Sequence, residues 1–221
     1  MLTDFWTPIR LSIEIAATAG FLAIVLGVFF GKFMAKRTFR GKVFIETLML
    51  LPLVLPPTVI GFLLIIIFGK NSFIGEWITW LIGQPLMFTF WAAVIASTVV
   101  AFPLMYQTAR TGFEAVDEDI ENAARVDGAS EWQVLWRISI PMAMTSIIAG
   151  GILSLARALG EFGATLMFAG NLPGVTQTTP LAIYTAIDAG NMSLAWSWVA
   201  VMVLLSFIML LGVHFIQRQP S

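Results

Sequence analysis

Residues 114–141 read EAVDEDIENAARVDGASEWQVLWRISIP, the one long polar interruption in a chain that is otherwise mostly apolar. Seven acids lie here, Glu114, Asp117, Glu118, Asp119, Glu121, Asp127 and Glu131, against only Arg125 and Arg137. The local code predicts helix, tight turn, helix. Asp117 can cap a first helix whose opening turn carries Glu118 and Asp119, where acids suit the helix dipole. Ile120, Ala123 and Ala124 fall near one face of it. Gly128 sits where a residue of positive φ would end it. Ser130 then restarts a helix, with Gln133 completing a Ser-x-x-Gln capping box. Trp132, Leu135 and Trp136 form an apolar stripe on that second helix. Pro141 suits the first turn of the apolar segment that follows.

Working outward, both flanks are apolar and long enough to cross a membrane. The chain has 58% hydrophobic and 11% charged residues and a mean hydropathy of +0.89. Soluble domains carry about 25% charged residues, so a polytopic membrane protein is the direct reading. Five spans of about 20 residues are expected near 11–33, 44–68, 87–109, 142–170 and 194–216. The whole chain, 1–221, reads as a single transmembrane domain: an all-α bundle with two short helices in the charged loop. The second span is interrupted by Pro52, Pro56 and Pro57. Between it and the third lies GKNSFIGEWITWLIGQ, too short to span, with Trp77 and Trp80 suited to an interface. The amino terminus, MLTDFWTPIR, does not read as a signal peptide, because Asp4 precedes any basic residue and no small-residue cleavage site follows.

An odd number of spans puts the termini on opposite sides, and the positive-inside rule selects the orientation. With the 32–42 loop, the charged loop and the tail in the cytoplasm, nine of twelve basic residues lie inside: Lys32, Lys36, Arg37, Arg40, Lys42, Arg110, Arg125, Arg137 and Arg218. Arg10 and Lys70 lie opposite, and Arg157 is within a span. The expected arrangement has the amino terminus outside and the carboxyl terminus in the cytoplasm.

Several classes of chemistry find no support. There are no cysteines, which excludes disulfides and thiolate metal sites. No metal-ligand cluster or nucleophile–base arrangement is apparent, so no metal and no catalytic residue is expected. No phosphate-binding Gly-rich loop is present, and no basic patch suggests nucleic acid. The one histidine, His214, reads as an interfacial residue near the end of the last span.

Arg157 and Glu161, four apart in the fourth span, are the intramembrane charges. An Arg at mid-membrane costs about 2.5–3.5 kcal/mol on insertion scales, so such residues face the bundle interior or a watery cavity. The pair reads either as lining a path or subunit contact, or as an ion pair that fixes helix packing.

Two stretches carry a family resemblance. Ala123-Ala124, three residues, Gly128-Ala129, then Ile138-x-Ile140-Pro141 resembles the EAA motif of ABC importer permeases: Glu-Ala-Ala, three residues, Gly, nine residues, Ile-x-Leu-Pro. Asn122 stands at the motif's Glu, with Glu121 one residue earlier, and Ile140 replaces Leu. The stretch ARALGEFGATLMFAGNLPGVTQTTPLAIYTAI, residues 156–187, together with LPPTVIGFLL in the second span, resembles molybdate-type permeases, with sulfate-type permeases as near relatives.

The resemblance implies a subunit of the bacterial inner membrane that binds no cofactor itself. It implies a homodimer, two ATP-binding cassette subunits that use ATP and Mg, and an extracytoplasmic oxyanion-binding protein, with membrane lipid around the spans. The loop would form coupling helices, with Glu121, Asn122, Ala123, Ala124, Asp127, Gly128, Ala129, Ile138 and Pro141 in or beside the ATPase contact. Arg157, Glu161, Thr58, Ser97, Thr98 and Thr165 are the candidates for the translocation path. The cargo that the resemblance implies is molybdate, moved from the binding protein into the cytoplasm by alternating access, with tungstate, sulfate or thiosulfate as the alternatives within the class. Outside the class stand an ion-coupled secondary transporter using Arg157 and Glu161, and a membrane scaffold that recruits a soluble partner through the loop.

Overall fold

A computed structural model describes residues 5–217, all of whose regular elements are helices. Asp4 and Arg218, which enter the sequence argument, lie outside the described residues. Four helical segments are long and apolar enough to cross a membrane: Trp6–Met34, Phe90–Glu114, Glu131–Leu159 and Met192–Phe215. Lys42–Val54 and Pro57–Phe68 together are also long and apolar enough, but they are bent by 118° at their break, the shape of a broken span or a re-entrant loop.

The elements in chain order are α1 (Trp6–Met34), α2 (Lys42–Val54), α3 (Pro57–Phe68), α4 (Phe73–Ile82), α5 (Phe90–Glu114), α6 (Glu118–Val126) and α7 (Glu131–Val134). A π turn (Leu135–Ser139) leads into α8 (Ile140–Leu159), then α9 (Gly163–Phe168), α10 (Thr179–Asp188) and α11 (Met192–Gln217). The core is α1 packed on α5, with α8 against both.

Small residues make that packing possible. Ala16, Ala19 and Ala23 of α1 and Ala92, Ala93 and Ala96 of α5 belong to one buried cluster. In lipid no hydrophobic drive separates helix from tail, so close van der Waals approach carries association. Gly31 shows how close it is: a Cβ there would lie 2.9 Å from the Ala109 Cβ and 2.9 Å from the Arg110 backbone N.

Two span expectations change. The second span is two helices, because Pro56 and Pro57 cannot donate to a preceding turn and Leu55 and Pro56 are extended. The fourth span is helical only to Leu159. It begins earlier than Met142, because α7, the π turn and α8 run on without a break, with Pro141 in the first turn of α8. Gly160 ends it, and the apolar stretch that follows is the separate short helix α9. The connector before the third span is α4, capped by Ser72, whose hydroxyl accepts from Gly75 N, and ended by Gly83 at φ 79°. Its Trp77 and Trp80 are exposed, as an interfacial helix requires.

Candidate functional site

The charged loop folds as its caps dictate. The Asp117 carboxylate accepts from Asp119 N at 2.9 Å and starts α6. Gly128 has φ +90°, and a Cβ there would meet nothing within 4 Å. The position therefore demands glycine for its backbone conformation, which costs other L-residues about 1–2 kcal/mol. Gly128 N donates to Arg125 O at 3.1 Å and Ala129 N to Ala124 O at 2.9 Å, closing the turn. Ser130 and Gln133 form the full capping box. Arg125 then ties the two helices together, donating to Glu131 at 2.7 Å and to Asn122 at 2.9 Å.

One side chain of α6 is turned the other way. Glu121 is 3% exposed. Its carboxylate accepts from Lys32 Nζ at 2.8 Å and Lys36 Nζ at 3.2 Å, and from the Ser139 hydroxyl. Lys32 also donates to Ser139 at 2.9 Å, and Lys36 to the Val116 carbonyl at 2.6 Å. Burial alone would push this carboxyl up. Hydrogen bonds from Lys32 and Ser139, and the Lys32 charge, more than reverse that and hold it down at about 2, from an ordinary 4.5. The π turn makes the contact possible. An extra residue in one turn re-aims side chains, and here it carries the buried Ser139.

What faces out is therefore Asn122, Ala123, Asp127 and Gly128, with Ile120 and Val126 exposed beside them. Ala124, Ala129 and Ile138 are half-buried, and Pro141 is exposed. Trp132 and Trp136 meet edge to face with ring centres 5.5 Å apart. The outward surface is small, mixed in polarity and rigidly mounted. Beneath it, Glu121 ties α6 to Lys32 of α1. Ser139, Lys32 and Lys36 are participants that sequence reasoning missed. The one signal available was Lys32 and Lys36 standing one turn apart at the end of α1.

The intramembrane candidates do not converge on one cavity. Arg157, in the last turn of α8, donates to Glu161 at 2.8 Å. The two do not share a helix, because Glu161 lies beyond the end of α8. Its second oxygen accepts from Ala164 N at 2.8 Å and so caps α9. Thr58 is exposed at the start of α3, where α9 lies against it, Gly163 facing Pro57 and Thr58. Thr165 is fully buried and its hydroxyl has no partner. Ser97 is buried within α5. The Thr98 hydroxyl donates to its own helix at Val94 O, 2.7 Å away. Thr98 edges a shallow hollow of about 320 Å³ shared with α1 and α2. His214 is exposed, its Nδ1 3.3 Å from Leu210 O. Among the described residues no group of three or more His, Asp or Glu converges as a metal site would.

The arrangement has relatives. Residues 23–220 match the family described as binding-protein-dependent transport system inner membrane component. The chain is 60% identical to the putative molybdenum transport system permease protein YvgM of Bacillus subtilis over 219 residues, 99% of this chain and 95% of that protein. It is 41% identical to the molybdenum transport system permease protein ModB of Escherichia coli K12 over 189 residues, 85% of this chain and 82% of that one. Among solved structures, an inward-facing MetNI methionine ABC transporter aligns at a TM-score of 0.75 with 14% identity, covering all of both chains. A bacterial ABC transporter for alginate aligns at 0.77 with 12% identity, covering all of this chain and 82% of that one. These likenesses are in fold, and the sequence match carries the assignment: the chain belongs to the family of binding-protein-dependent transport system inner membrane components.

Proposed function

We propose that the chain is the permease subunit of an ATP-driven importer that carries molybdate into the cytoplasm by alternating access. The observation that carries the mechanism is the mounting of α6: its outer face is exposed, while Glu121 locks its inner face to Lys32 of α1 and to Lys36 just beyond the end of α1. A partner gripping Asn122, Ala123 and Gly128 moves a span, not a loose loop. Molybdate as cargo rests on the naming of the relatives and on 60% identity over nearly the whole chain.

In this reading two copies form the path, and two separate ATP-binding cassette chains dock beneath them and hydrolyse ATP with Mg. A binding protein delivers the anion from outside. The amino terminus is outside and the α6–α7 loop is cytoplasmic, as the basic residues favour. Glu121 works from behind the docking face as its anchor. Arg157 and Glu161 neutralise each other where α8 gives way to α9. Selection of the anion belongs to the binding protein, because a path must release what it admits.

The test is ATP hydrolysis and uptake in proteoliposomes holding this chain with the ATPase encoded beside it. Binding protein loaded with molybdate, tungstate or sulfate is added in turn. Stimulation with matching uptake by the molybdate-loaded form is the expected result. Stimulation by sulfate alone changes the cargo. Uptake without any ATPase overturns the class in favour of an ion-coupled transporter.

A further inference from the structure

A groove of about 820 Å³ runs along α1 and α8. That is within the ~300–1,000 Å³ of built small-molecule sites. Ile24, Val28 and Phe29 of α1 face Met144 and Ile147 of α8 across it. These walls belong to segments long and apolar enough to cross a membrane, so they stand at hydrocarbon depth, beyond the reach of a soluble partner. Toward the loop the groove passes Trp132 and Trp136, side chains suited to the membrane–water boundary. It then ends in charge: Lys32, Lys36, Arg37 and Arg125 against Glu118 and Glu121.

The cations exceed the acids, and most are already engaged. Lys32 and Lys36 satisfy Glu121, and Arg125 satisfies Glu131. Arg37 has no acidic partner among the described residues, and its guanidinium lies 4.1 Å over the Phe33 ring, at the mouth of the groove. An apolar trough, then indoles, then surplus positive charge is the profile of one class of ligand. We propose that the groove is a binding site for an anionic phospholipid. One acyl chain lies between α1 and α8, and the phosphate sits at Arg37 and Lys36. Basic pockets between spans on the cytoplasmic side recognise such headgroups. A helix from a second copy of the chain would cover the trough but leave the surplus charge unmatched. Glu121 and Asn122 of α6 also line the groove, so a bound lipid braces the loop against α1.

The test uses the full chain with its ATPase, purified from a bilayer of equal phosphatidylglycerol and phosphatidylcholine. Native mass spectrometry should show phosphatidylglycerol retained in preference. Arg37→Gln should lower that preference about fivefold, the worth of one surface cation. Arg40→Gln, which removes a cation that does not line the groove, should leave it unchanged. A second measurement takes Trp132 and Trp136 fluorescence as the difference between wild type and a Trp132→Phe, Trp136→Phe variant. Phosphatidylglycerol brominated on its acyl chains should quench that signal more than brominated phosphatidylcholine at equal mole fraction. Equal retention of the two lipids, or an equal loss with Arg40→Gln, overturns the proposal in favour of a non-specific lipid shell. Shielding of the indoles from both lipids, with cross-links between two copies across the groove, overturns it in favour of a subunit contact.

Discussion

Glu121 and Lys32 stand 89 positions apart in the chain and 2.8 Å apart in the fold. Each side needs the other. The carboxylate is almost fully buried, and a buried charge without partners is costly to a degree that a surface pair never repays. The ion pair joins the charged loop to the helix at the heart of the bundle.

Removing the carboxylate should therefore uncouple the two. Glu121→Gln keeps the shape and leaves Lys32 and Lys36 facing each other without an acid. The expected result is faster hydrogen exchange in α6 and lower uptake, with the spans still inserted. Unchanged exchange in α6 would remove Glu121 from its role as anchor.

The same pair gives a pH dependence with a definite sign. The folded carboxyl titrates at about 2, against 4.5 for an unperturbed group. Its stabilisation is complete above about pH 4.5 and is lost as pH falls toward 2. The difference corresponds to something on the order of 3 kcal/mol. Protection of α6 amides should decline through that window in the wild type. In Glu121→Gln the decline attributable to this group should be absent. A wild-type profile flat from pH 5 to 2.5 would contradict the geometry.

Gly128→Leu should weaken co-purification of the ATPase and lower uptake. The change places a Cβ at φ +90°, a strain of about 1–2 kcal/mol in the turn. Gly128→Asn should do much less harm, since Asn tolerates the left-handed region. Equal harm from both would mean that the outer surface at this point needs the absence of a side chain, whatever the backbone angle.

What the sequence discloses and what it hides divide along physical lines. Caps are local: Asp117, Gly128, Ser130 and Gln133 act within a few residues, so each can be read directly. The inward turn of Glu121 cannot, because it depends on Lys32 from another span and on a π turn that no residue pattern announces. Hydropathy records depth in the bilayer and is blind to helix continuity. The apolar run through Gly170 thus reads as one span, although Gly160 ends the helix and Glu161 caps a new one. The prolines at 56 and 57 mark a break but carry no information on its angle. Thr165 and Ser97 are polar residues in apolar runs, and burial alone decides that they face helices, not an open cavity.

Arg157→Ala should lower assembly or uptake. It leaves the Glu161 carboxylate buried, with Ala164 N as its one remaining partner among the described residues. Breaking a buried pair by removing one member costs about 3–5 kcal/mol, more than replacing both. The double change Arg157→Leu with Glu161→Gln should therefore recover assembly relative to Arg157→Ala. If it recovers assembly but not uptake, the charges act on the path. If it recovers both, the pair is structural. Wild-type behaviour of Arg157→Ala in both assays would strip the pair of either role.

The last prediction separates the two neighbours on α6. Asn122 is exposed and accepts from Arg125, while Glu121 is turned away from it into the protein. The acid before Ala123-Ala124 is thus displaced by one residue relative to the motif, and one residue on a helix is a rotation of about 100°. That is enough to carry the carboxylate from the outward face of the helix to its buried face. Asn122→Glu should then be tolerated, because it adds an acid on the outer face without touching the Lys32–Glu121 contact. Co-purification of the ATPase should be equal or stronger. The exchange Glu121→Asn with Asn122→Glu keeps composition and net charge but removes the anchor, and it should lose uptake. Full activity of the exchange variant would mean that the acid is needed only in the neighbourhood of the turn. Loss in both variants would mean that the partner contact at Asn122 needs the amide and cannot take a carboxylate.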